Sequence, residues 1–72
     1  MRYGFSKDGS FVVADDDNRI GEFAFPSSPR AEQAKRDPAR TAQEMIAEHW
    51  KHCPQHIREQ HYLLSVSALP TA

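Results

Sequence analysis

Pro54 stands inside the most helix-like stretch of the chain, residues 41–61, and limits what that stretch can become. Proline has no N–H for the carbonyl four residues back, here that of Trp50, and it drives the residue before it, Cys53, away from helical dihedrals. A helix entering this point must stop near His52. Upstream, at 100° per residue, Ala42, Met45, Ile46, Trp50 and Cys53 share one arc, and Glu44, Ala47, Glu48 and Lys51 the other. Two starts compete. Thr41 and Glu44 have the spacing of a capping box, whereas Asp37-Pro38 offers proline at the first helical position. The pattern predicts a main helix over 38–53, with a helical turn restarting at Pro54 and running to about Glu59.

This stretch also holds the single Trp, the single Cys and all four His. If the helix continued unbroken, His49, His52, Cys53 and His56 would share a face. Imidazole and thiolate at spacings of three and four residues suit zinc, with Glu48 and His61 as spare ligands. Pro54 interrupts that face, and one Cys gives no paired C-x-x-C knuckle, so no metal is assigned. The expected roles are packing ones: Cys53 as a small buried apolar group and His49 as a hydrogen-bonded core histidine. Cys53 with His49 or His56 also has the residue types of a thiolate–imidazole pair. A nucleophile needs an oxyanion site and a pocket too, for which 72 residues leave little room. No catalytic residue is assigned, and the chain is expected not to be an enzyme.

A chain this short forms one domain with a modest core, and one Cys excludes an internal disulfide. Partner binding or homodimerisation is therefore an expected source of added stability. Hydrophobic residues make up 39% and charged residues 26%, a balance of folded rather than disordered chains. No run approaches the roughly 20 apolar residues that span a bilayer, and the first ten residues lack a signal-peptide core. With a lone Cys this leads to an expected cytoplasmic location and no membrane partner. Net charge is −1 but unevenly placed: residues 1–28 carry −2, residues 29–40 carry +2 and the remainder −1.

The first 25 residues read as a β-meander. Tyr3 and Phe5 alternate in a first strand, and Asp8-Gly9 is a strong hairpin turn because Gly accepts positive φ. Phe11 to Ala14 form a second strand. Asp15-Asp16-Asp17-Asn18 is a turn: as a calcium loop it would need Gly at the sixth position and Glu at the twelfth, where Ile20 and Pro26 stand. Residues 20–25 form a third strand, with Phe23 and Phe25 expected to join Tyr3 and Phe5 on one aromatic face, packed on the main helix. Ser28-Pro29 is a helix start, opening a basic polar segment over 29–37 that is expected to lie outside the core. After the main helix, Tyr62, Leu64, Val66 and Ala68 alternate with Leu63, Ser65, Ser67 and Leu69. This predicts a C-terminal strand over 61–69, ended by Pro70, with Leu63 and Leu69 partly exposed on its wetter face.

The expected fold is a single α+β domain of order β-β-β-α-β, one main helix covering the sheet. The three glycines, Gly4, Gly9 and Gly21, lie in strand or hairpin contexts, so there is no phosphate loop. No cofactor is expected. The functional expectation is a small non-enzymatic interaction module that binds a protein partner, as an inhibitor or regulator. Arg30, Lys35, Arg36, Arg40, Leu63 and Leu69 are the candidate partner-binding residues. Nucleic-acid binding through the basic 30–40 segment, and a zinc-dependent module using His49, His52, Cys53 and His56, are the alternatives. A second copy of the chain is a further expected partner.

Overall fold

In the computed structural model, which describes residues 1–69, three strands form an antiparallel meander: β1 (Arg2–Phe5), β2 (Phe11–Asp15) and β3 (Ile20–Ala24), in the order β1-β2-β3. The first turn follows from its residues. Gly9 has φ +91°, Gly9 N–H donates to the Ser6 carbonyl at 3.0 Å, and the Asp8 carboxylate accepts from Ser10 N–H at 3.0 Å. The second turn is tied by Asp15, whose carboxylate accepts from Asp17 N–H and from the Asn18 amide at 2.8 Å. Short polar side chains binding nearby backbone are the ordinary turn chemistry of Asp and Asn.

Register sets the faces. Tyr3 lies opposite Val13, Phe5 opposite Phe11, Phe11 opposite Ala24 and Val13 opposite Glu22. Directly opposed residues share a face, so Tyr3, Phe5, Phe11, Val13, Ile20, Glu22 and Ala24 line one side of the sheet. Phe23 lies opposite Val12 and belongs to the other side, which corrects the single aromatic face expected from the sequence.

Three helices follow: α1 (Pro29–Arg36), α2 (Pro38–His52) and α3 (Gln55–Ala68). Ser28 caps α1 by accepting from Ala31 N–H at 3.1 Å, with Pro29 at the first position. Asp37 ends α1, donating its N–H to Gln33, and starts α2 with its side chain. Thr41 donates its hydroxyl to the Asp37 carbonyl at 2.8 Å, so the Asp37-Pro38 start prevails over the capping box. α2 stops where Pro54 requires, with Cys53 in extended dihedrals and its N–H on the His49 carbonyl. The helices α1 and α2 cover the first sheet face: Ala31, Ala34, Ala42, Met45 and Ile46 pack with Phe11, Val13, Ile20 and Ala24 in one core cluster. The 29–37 segment therefore contributes to the core, through two small residues too sparse to register as an apolar stripe.

The strand expected over 61–69 is helix. After Pro54, Ile57 and Arg58 donate their N–H groups to the Pro54 carbonyl, and the chain stays helical through Ala68. Pro70, the expected terminator, lies outside the described residues. The alternation of Tyr62, Leu64, Val66 and Ala68 is real, but the same stretch also fits helical spacing: Tyr62, Ser65, Val66 and Leu69 recur at three- and four-residue steps. An apolar run this short does not distinguish the two periods. Ser65, assigned to a wet face in the strand reading, is fully buried, and Tyr62 is buried beside it. Leu63 and Leu64 face outward and Leu69 is half-buried.

The helix α3 packs on the second face of the sheet. Gly21 is what admits it: a Cβ built there would overlap the His61 carbonyl, the Ser65 hydroxyl and the Tyr62 Cα. Glycine in a strand commonly marks such close backbone approach. Val12 and Ala14, also on this face, are buried. A polar tie reinforces the packing. Arg2 holds Asp16 with two hydrogen bonds, at 2.7 and 3.0 Å, and the Tyr62 hydroxyl donates to Asp16 at 2.6 Å. The side chain of Arg19 lies over the Tyr62 ring and pairs with Glu59 at 3.1 Å.

Two outcomes follow from this packing. Gly21→Ala should lower stability in denaturant unfolding by about 1–3 kcal/mol or more, because the added methyl meets backbone and cannot be relieved by a rotamer change. The Asp16 carboxyl is held at about 2, below its ordinary 3.8, first by the Arg2 hydrogen bond and then by that from Tyr62. A carboxylate depressed in the fold stabilises it above the unfolded value and loses that effect as pH falls through the folded one. An acid titration should therefore show wild-type stability declining between about 3.8 and about 2. Asp16→Asn should flatten that part of the profile.

Candidate functional site

Three regions of the surface carry the sequence-based candidates. The first is the basic segment on α1 and the start of α2. Its charges are largely spent within the fold. The Arg30 guanidinium, half-buried, reaches Glu44 at 3.4 Å and Glu48 at 2.5 Å on α2. Lys35 pairs with Glu32 at 2.9 Å, and Arg40 approaches Glu44 at 3.5 Å. Glu44 also accepts from the Gln33 amide at 2.7 Å, and this bond leads the causes that hold its carboxyl below the ordinary range. Arg36 is exposed and makes no ion pair among the described residues. Arg30 thus fastens α1 to α2.

The second region is the corner where α2 gives way to α3. Pro54 turns the chain around the β3 edge, from one face of the sheet to the other. His49, on the last turn of α2, is 3% exposed, and Glu22 of β3 lies 2.5 Å from its Nδ1. The other oxygen of Glu22 accepts from Phe23 N–H at 3.3 Å, which fixes the carboxylate against its own strand. Cys53 Sγ is 3.7 Å from the same His49 nitrogen. His61, from the second turn of α3, sets its ring edge-on to that of His49, centroids 5.1 Å apart. One ligand atom each from His49, Cys53 and His61 lies within 4.8 Å of the others. The Nε2 of His49 is buried and has no hydrogen-bond partner among the described residues.

The structure therefore divides the sequence-based cluster. It keeps His49 and Cys53 together, leaves His52 and His56 exposed and outside the group, and brings in His61 and Glu22. The expectation that His49 is a hydrogen-bonded core histidine agrees with its burial. Glu22 carried no sequence signal. His61 was legible as a spare ligand, but its approach depends on the reversal at Pro54. No family model matches the chain, and no curated protein or solved structure shows significant similarity to it. No described helix is long and apolar enough to cross a membrane.

The third region is apolar. Phe23 and Phe25 contact each other edge-to-face, centroids 5.9 Å apart, and Phe25 is 70% exposed. They border a groove with Ala24 and Met45 at its base and Glu22, Ser28, Arg30 and Glu48 around it. Trp50, expected in the apolar arc of α2, is instead half-exposed beneath Arg58 of α3, whose guanidinium carbon lies 4.0 Å from the ring centroid. Leu63 is 54% exposed on the outer side of α3.

These pairings predict a division among the cations. Arg30→Ala should destabilise the fold by up to about 1 kcal/mol in thermal or denaturant unfolding, the scale of a partly exposed ion pair. Arg36→Ala should leave stability unchanged within about 0.5 kcal/mol.

Proposed function

We propose that the chain is a small non-enzymatic interaction module, and that its protein partner seats an apolar side chain in the groove beside Phe23 and Phe25. The observation that carries this reading is the exposed aromatic pair Phe23 and Phe25, which line a groove with Met45, Arg30 and Glu48. Large aromatic side chains on a folded surface lose hydrophobic stabilisation that a partner restores, and an apolar floor with a polar rim is the usual anatomy of a binding hot spot. Arg30 is held in place by Glu44 and Glu48, so this part of the rim is ordered before a partner arrives. Leu63 and Leu64 on α3 form a separate exposed apolar pair, which would suit a second copy of the chain.

Phosphate binding is less well supported. Arg30, Lys35 and Arg40 already face carboxylates, and a polyanion would have to displace those partners. The aromatic residues that could stack bases are also divided between two faces of the sheet.

The test is capture on the immobilised full chain, with Phe25→Ala and Arg36→Ala compared against wild type. The expected result is a specific protein retained by wild type and by Arg36→Ala, with affinity at least tenfold weaker for Phe25→Ala, a loss of about 1.4 kcal/mol. Phe25 is exposed, so its truncation should leave the melting temperature nearly unchanged. Retention of nucleic acid that falls steeply with salt and is lost in Arg36→Ala would overturn the reading in favour of phosphate binding.

A further inference from the structure

We propose that His49, Cys53 and His61 form a zinc site at the corner between α2 and α3, with Glu22 as the residue that orients His49. The site shares Glu22 with the rim of the aromatic groove, but it needs no partner there.

The donor set is suited to a borderline-soft ion. Two imidazoles and a thiolate are standard zinc ligands, and three protein ligands leave a fourth position for water or another donor. Their atoms already converge within 4.8 Å. Ligands of one tetrahedral zinc are about 3.3–3.8 Å apart, given bond lengths near 2.0–2.3 Å. Closure on an ion at His49 Nε2 asks for side-chain rotation at half-buried His61 and at half-buried Cys53, whose Sγ lies 3.7 Å from Nδ1.

His49 supplies the second argument. Its side chain is almost wholly buried, and Nε2 has no partner among the described residues. A buried imidazole nitrogen without a partner is costly, and ligation by an ion is one way to satisfy it. The Glu22 carboxylate sits at the opposite ring nitrogen, Nδ1. With Nδ1 donating its proton to Glu22, the lone pair lies on Nε2. A carboxylate on the far nitrogen is the arrangement that fixes the tautomer and orientation of a metal-bound histidine and raises its basicity. The bond from Phe23 N–H to Glu22 holds that carboxylate to β3, so sheet, α2 and α3 all contribute to the site.

The experiment is metal titration of the metal-stripped full chain with Zn²⁺, and with Co²⁺ as a spectroscopic substitute. One ion per chain is expected, with a thiolate-to-cobalt charge-transfer band and the intense visible bands of a tetrahedral centre. Cys53→Ser should abolish the charge-transfer band, and His61→Ala should weaken affinity at least tenfold. Glu22→Gln keeps a hydrogen-bond acceptor for His49 while removing the charge, and should weaken affinity about tenfold with the band retained. The double variant His52→Ala, His56→Ala should bind as wild type does. A measurement on the unaltered chain guards against a variant that fails to fold: zinc should slow alkylation of Cys53 at least tenfold. Failure of the chain to take up zinc against a micromolar chelator, or binding that survives Cys53→Ser and disappears in the His52, His56 variant, would overturn the site.

Discussion

Burial of β2 on both faces is the constraint from which the rest of the architecture follows. Every residue from Phe11 to Asp15 is buried, although the sheet formed by the described residues has three short strands. Such a strand needs a helical layer on each side. Helices α1 and α2 supply one through Ala31, Ala34, Ala42, Met45 and Ile46. The other is supplied by α3, which can approach because Gly21 has no side chain. A chain that covers both faces in sequence must pass around an edge of the sheet, and it does so at Cys53-Pro54, beside β3. The convergence of Glu22, His49, Cys53 and His61 is a by-product of that passage. The proline that ends one helix also places a histidine of the next against the first.

The parts of this fold legible in the sequence are those specified locally. The Asp8-Gly9 turn, the acidic second turn, the Ser28-Pro29 and Asp37-Pro38 helix starts and the stop before Pro54 each depend on a few adjacent residues. The identity of α3 does not. Residues 62–69 satisfy a two-residue and a 3.6-residue period together, and the helix they form is accommodated by Gly21, some forty positions earlier. A flat patch on a strand is a place for a helix to lie, and nothing in the C-terminal segment itself announces it. The face assignment of Phe23 failed for a related reason, since register is a relation between strands and a shift of one residue exchanges the two sides.

The candidate sites show the same division. His49 and Cys53 are one helical turn apart, so their proximity was readable from spacing. Glu22 and His61 join them through strand register and the reversal at Pro54, which are tertiary facts. The basic segment is visible as a run of charge, but the partners of its cations are set by the fold. Arg30, Lys35 and Arg40 turn out to face carboxylates across and along α1 and α2, and a formal charge of +2 over residues 29–40 overstates the field available to a ligand.

The position of Gly21 has a kinetic consequence as well. The meander and the α1–α2 pair close through contacts between near neighbours in the chain, whereas α3 reaches back across roughly forty residues to Gly21 and Asp16. Local contacts form at low entropic cost and distant ones at higher cost. Docking of α3 on the sheet, like that of α2 on β1 and β2, should thus follow closure of the meander's two hairpins.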